Sequence, residues 1–295
     1  MIFNSVLTLP NDVCLTVLID DSVEAKKGAE KRLIAKHGLS ILAETRVDDT
    51  KICVLMDTGS SAEALLNNVD VMNVNLRQID AIVLSHGHYD HTDGLIDALT
   101  SINKPTMIIA HPKIFVPKFG IRKKLKFIGS SFTQSTVENV GGVPLLAGNP
   151  VEIAEDITTT GEIERKTTYE KVKGFFTLEQ GQFVADSIID DQALIINLKS
   201  KGLVVITGCA HSGVVNTIMH AQKITNTEKI HAVLGGFHLI DATDKRTQMT
   251  IDDLKKFKPN FLGPCHCTGK KAIRKLEKAF AGKCQPLKTG DIVRL

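Results

Sequence analysis

The chain has 295 residues, 43% of them hydrophobic and 23% charged, which is the composition of a globular protein able to bury one large core. A formal charge of only +3, lysines scattered except in Arg122-Lys-Lys-Leu-Lys126, and the absence of Trp argue against nucleic acid as a partner. No apolar stretch approaches the ~18 residues of a membrane span, and the opening MIFNSVLTLPNDV lacks the basic start and apolar core of a signal peptide, so no membrane partner and a cytoplasmic location are expected.

In chain order, Val13–Ile19, Ile52–Met56, Ala81–Leu84 and Thr106–Ala110 are short apolar runs closed by turn residues, and they predict strands buried on both faces. Between them, Ala64, Leu65, Asn68, Val69 and Met72 repeat with helical spacing. Two stretches then break the pattern. Residues 115–143, rich in Lys, Gly and Ser, and residues 162–189, rich in charge and turns, predict irregular insertions of the kind that carry substrate specificity. Ala193–Leu198, Leu203–Thr207 and Ala232–Leu234 predict further strands. Val214, Val215, Ile218 and Met219, and later Ile273, Leu276 and Phe280, predict helices. No Pro- or Ser-rich linker divides this series, so residues 1–295 are expected to form a single layered α/β domain.

The chemistry concentrates at strand ends. Directly after Ala81–Leu84 comes Ser85-His-Gly-His-Tyr-Asp-His91. In an extended segment alternate residues point the same way, so His86 and His88 can aim at one point, while Asp90 and His91 in the following turn face a second. Imidazole and carboxylate together suit Zn, Fe or Mn, and four such groups supply half of a dinuclear site. Leu203–Ser212 weakly echoes Ala81–Asp90, since each runs from a buried strand into a Gly-containing His turn, here with Cys209 and His211. Gly235-Gly-Phe-His238 and Pro264-Cys-His266-Cys267 place two further histidines after apolar runs. His238 is read as a substrate ligand or proton donor. The six cysteines (Cys14, Cys53, Cys209, Cys265, Cys267, Cys284) are too few in a chain this long for a disulfide framework. Cys265 and Cys267 are read as packing residues, and His37, His111, His220 and His231 as structural.

SHGHYDHTDGL resembles the H-x-H-x-D-H signature of the metallo-β-lactamase superfamily, and the likeness extends over nearly the whole chain. The resemblance implies a four-layer αβ/βα sandwich with the site at one edge of two sheets. It also implies a metal set of His86, His88, Asp90, His91 and His266, with Asp57 of the Asp57-Thr-Gly59 turn beneath those ligands. Two departures stand out. Cys209 occupies the place of the usual bridging Asp and is read either as a thiolate ligand or as a small core residue, and His211, two residues on, is read as a metal ligand. The usual Gly-His-Thr motif is missing, and Glu162 in its place is read as a solvated turn residue rather than a ligand.

The runs TGCAHSGVVN, GGFHL and PCHCTG are similar to one branch of the superfamily, which includes a synthase of methanopterin biosynthesis. The resemblance implies one or two divalent ions, zinc first and magnesium, manganese or iron as alternatives. The substrate implied is a phosphorylated small molecule, and homo-oligomerisation is left open. The expected reaction is displacement of diphosphate from a pterin methyl carbon by an aryl amine. Hydrolysis of a phosphoester or lactone, with Asp90 or His238 handling protons, is the alternative. A non-catalytic binder of a phosphorylated or pterin-like ligand is a third reading.

Overall fold

A computed structural model describes residues 10–24, 32–48 and 50–295. Part of the opening stretch searched for a leader lies outside them. Among the described residues, seven strands form the first sheet: β1 (Val13–Ile19), β2 (Ser40–Val47), β3 (Thr50–Met56), β4 (Ala81–Val83), β5 (Thr106–Ala110), β8 (Gly142–Leu146) and β17 (Ile292–Arg294), in the order β17-β1-β2-β3-β4-β5-β8. Six form the second, in the order β16-β15-β14-β13-β10-β9: β9 (Glu152–Ala154), β10 (Ile157–Thr159), β13 (Ala193–Leu198), β14 (Gly202–Thr207), β15 (Ile230–Gly236) and β16 (Phe261–Cys265).

The apolar runs are continuous because each strand is covered on both sides. Val54 and Met56 of β3, Ala81 and Val83 of β4, Leu194 and Ile196 of β13, and Val204 and Ile206 of β14 meet in one core between the sheets. The residues that alternate with them point outward. Leu55 and Ile82 pack under helices α1 (Ala62–Val71), α3 (Leu95–Ile102) and α4 (Gln134–Asn139), and Ile195, Leu203 and Val205 under α5 (Val214–Thr225), α6 (Asp244–Phe257) and α7 (Lys270–Ala279). Four layers, αβ/βα, result. In β1 a register shift between Val17 and Ile19 breaks the alternation, which places both Leu18 and Ile19 in the outer core.

The stretches expected to be irregular are so only in part: residues 162–174 form neither helix nor strand, but other segments of these stretches are regular. β6 (Lys118–Ile121), β7 (Leu125–Phe127), β11 (Phe175–Glu179) and β12 (Gln182–Ala185) pair as a small antiparallel sheet in the order β12-β11-β6-β7. Each main sheet contains one parallel run that reaches its edge, β3-β4-β5-β8 in one and β14-β15-β16 in the other. The carboxyl ends of β3, β4, β14, β15 and β16 lead directly into Asp57, His86, Cys209, His238 and His266, and a site at such strand ends follows a general rule of α/β sheets.

Candidate metal centre

Buried β4 ends at Val83, and Leu84 to His88 continue from it before the one-turn helix α2 (Tyr89–Thr92), which carries Asp90 and His91. His86 and His91 are fully buried, and His88 and Asp90 nearly so. From the second sheet, Gly208 lets the two strand ends meet. A side chain there would lie 2.1 Å from Ser85 Oγ and 2.9 Å from Asp57 Oδ2. The approach delivers Cys209 and His211.

Three ring nitrogens then converge. His86 Nε2 lies 2.9 Å from His88 Nδ1 and 3.2 Å from His211 Nε2. Burial holds His88 at a pKa of about 3, and burial together with neighbouring imidazoles pushes His86 and His211 well down as well. Neutral imidazoles crowded at one point have more lone pairs than protons there, which is the donor arrangement a cation fits. His88 Nε2 and His211 Nδ1 are also buried without a hydrogen-bond partner.

A second group forms beside the first. Asp90 Oδ2 is 3.4 Å from His266 Nε2 and 3.8 Å from His91 Nε2. Burial pushes the Asp90 carboxyl up, but His91, His266 and His37 outweigh it and hold the group well below its usual range. The Cys209 sulfur is 3.2 Å from His91 Nε2 and within 4.8 Å of donor atoms on His86 and His211, and equally on His91 and His266. Cys209 therefore stands between the two groups. Without a cation, burial pushes its thiol well above the ordinary value, so a metal would be needed to favour the thiolate.

Outer residues aim these donors. Asp57, fully buried at φ 59°, accepts from Ser85 N–H at 2.7 Å and Ser85 Oγ at 2.7 Å, and its Oδ2 lies 2.6 Å from His91 Nδ1. Asp57 thus holds the start and the end of the histidine loop. Asp21 Oδ1 does the same for His266, at 2.8 Å from Nδ1. His238 follows β15 at φ 46°, with its ring centroid 4.2 Å from that of His211 and its Nδ1 buried without a partner.

Several residues escaped the sequence reading. His37, read as structural, brings Nε2 to 3.2 Å from Asp90 Oδ2 and Nδ1 to 3.2 Å from Asp21 Oδ1. Cys267, read as packing, groups its sulfur with Cys209 and His238 within 4.8 Å, whereas Cys265 does lie in the inter-sheet core. Lys118, 1% exposed, lies 2.8 Å from Asp190 and 3.2 Å from Asp186, and Asp190 accepts the Gly87 N–H at 2.8 Å. No local motif signals any of these, because each depends on distant segments meeting. Glu162 stays outside the site, paired with His111 at 2.8 Å. Of the phenylalanines near the insertions, Phe175 reaches the centre, 5.2 Å from the rings of His88 and His211. Phe119, Phe127, Phe176 and Phe183 pack on one another, and Phe115 on Phe132.

The profile of the metallo-β-lactamase superfamily matches residues 38–172. The chain is also 37% identical over 266 residues, covering 88% of itself and 90% of its relative, to the 7,8-dihydropterin-6-methyl-4-(β-D-ribofuranosyl)-aminobenzene-5′-phosphate synthase of Methanocaldococcus jannaschii. It belongs to the metallo-β-lactamase superfamily. An uncharacterized protein of the same organism is 32% identical over 90% of this chain and 94% of its own length. Among solved structures, Tm1679, a metal-dependent hydrolase of the β-lactamase superfamily, superposes with a TM-score of 0.77 at 26% identity, covering 95% of this chain and 98% of that one. This superfamily member is a metal-dependent enzyme that binds a divalent cation and acts on a small molecule. None of its described helices is long and apolar enough to cross a membrane.

Proposed function

We propose that this enzyme joins a dihydropterin-6-methyl diphosphate to an aminobenzene ribofuranosyl phosphate with loss of diphosphate, the whole chain acting as one domain. The observation that carries this reading is similarity to the M. jannaschii synthase along 88% of the chain, through both halves of the site. In this reading His86, His88 and His211 hold one cation, Asp90, His91 and His266 a second, and Cys209 lies between them as a thiolate. Zinc suits that mixture of nitrogen, oxygen and sulfur donors. The cations would supply Lewis acidity toward the oxygens that gain charge as the methyl carbon–oxygen bond breaks.

The chain's own residues do the rest. Phe175 places an apolar ring against His88 and His211, where it keeps water from the electrophilic carbon and offers a face to a flat pterin. The amine nitrogen forms the new bond as diphosphate leaves, and the proton it sheds passes to His238, whose Nδ1 has no protein partner. Asp57 and Asp21 keep His91 and His266 oriented throughout.

The likeness to Tm1679 supports a second reading, hydrolysis of a phosphoester or lactone, with Asp90 and His238 handling the protons of an attacking water. Turnover of the dihydropterin diphosphate with the amine, run beside a panel of phosphodiesters and lactones, separates the two. Coupled product with equimolar diphosphate supports the synthase. Cleavage of a panel ester or lactone, with no coupled product, overturns it in favour of the hydrolase.

A further inference from the structure

A cavity of about 460 Å³ opens where the segment before β11 meets the start of α6, lined by Tyr169, Lys171, Lys173, Thr243, Lys245 and Arg246 among others. Four of these six side chains are cationic. The acid in the lining, Asp241, is paired with Arg122 at 3.0 Å. Among the described residues no salt bridge engages Lys171, Lys173 or Lys245, in contrast to Lys271 and Lys275, which both reach Asp244. Arg246 donates to the Lys171 carbonyl at 3.3 Å, and its Nε is buried with no partner. Like charges gathered around one concavity repel one another, and a bound anion relieves that repulsion.

The cavity adjoins the metal centre through two segments. Lys173 lies two residues before Phe175, whose ring is 5.2 Å from that of His211, and Asp241 lies three residues after His238. A substrate seated on the centre can therefore extend toward the basic cavity. A phosphate monoester fits such a terminus, since its two negative charges and three acceptor oxygens match several cationic donors at once.

We propose that this cavity is a phosphomonoester subsite, binding the terminal phosphate of the ribofuranosyl substrate while the metal centre takes the diphosphate of the other. The inference rests on the synthase reading for its substrate, but its test does not require turnover. Calorimetric titration of the metal-loaded protein with ribose 5-phosphate, ribose and inorganic diphosphate is compared between the natural protein and Lys173→Ala/Lys245→Ala. Both lysines are exposed, so the fold is not at risk. The expected result is ribose 5-phosphate binding at least tenfold tighter than ribose, weakened at least tenfold in the variant, with diphosphate affinity unchanged because that ligand sits on the metals. Equal ribose 5-phosphate affinity in the two proteins overturns the subsite, whatever reaction the enzyme performs. Loss of ribose 5-phosphate binding in the variant supports it even where the amine releases no diphosphate, a result that would count against the synthase alone.

Discussion

Lys118→Met should be far more damaging than its distance from any expected ligand suggests. The ammonium is 1% exposed and lies 2.8 Å from Asp190 and 3.2 Å from Asp186. Methionine keeps most of the stem but leaves both carboxylates buried without a cation. Breaking a buried pair in this way costs about 3–5 kcal/mol, or roughly 5–8 °C in Tm for a chain of this size. The damage has a definite address, because the second oxygen of Asp190 accepts the Gly87 N–H between His86 and His88. A side chain at Gly87 would also meet Ile114 O at 2.4 Å and Lys118 Cε at 2.8 Å, so this loop is packed directly on the lysine. Metal affinity should fall with stability. The assay is calorimetric melting of metal-free and metal-loaded protein, with Lys271→Met, which loses only an exposed pair, as the comparison. A Tm loss for Lys118→Met no larger than that for Lys271→Met, with unchanged metal affinity, would refute the reasoning.

Cobalt-substituted protein should show a sulfur-to-metal charge-transfer band that disappears in Cys209→Ser, and a fully loaded site without that band would return Cys209 to a packing role. Asp57→Asn should weaken metal binding about 10–100-fold by loosening both Ser85 and His91, as read by competition with a chromophoric chelator; unchanged affinity would contradict its orienting role. Zinc at a hundred times its Kd should raise stability by about 2.7 kcal/mol over chelated protein, roughly 4 °C in Tm, and an identical Tm would mean that the folded chain has no site to fill. Two lysines hold the Asp244 carboxyl down to a pKa of about 2, so its contribution is present above the ordinary value of 3.8 and is lost as pH falls from 3.8 toward 2. Urea midpoints of the natural protein and Asp244→Asn should therefore differ at neutral pH and converge at pH 2, and a gap that stays constant would reject the assignment.

Much of the framework was legible because it depends on local pattern. Val13–Ile19, Thr106–Ala110 and Ala193–Leu198 are strands over the same residues that their apolar runs delimit. Helix α6 was missed because its buried face is built from Thr247 and Thr250 as well as Ile251 and Leu254, leaving a weak apolar stripe among charges. The small sheet was missed because its strands are short and β7 is exposed throughout, so burial imposed no pattern on it. The same division runs through the site. His86, His88, Asp90 and His91 announce themselves by spacing within one turn. Asp21 and His266 meet across 245 positions, and nothing in either neighbourhood encodes the pairing. His37 and Cys267 likewise acquire their partners only from the fold.

The central claim is a carbon–nitrogen coupling at a two-cation centre rather than a hydrolysis, and the fate of solvent oxygen tests it most directly. The metal-loaded enzyme is run with dihydropterin-6-methyl diphosphate and the amine in water enriched in heavy oxygen. Unlabelled diphosphate, released one for one with coupled product, and no labelled hydroxymethyl pterin are expected. Heavy oxygen in the pterin alcohol or in released phosphate, with no coupled product, would contradict it.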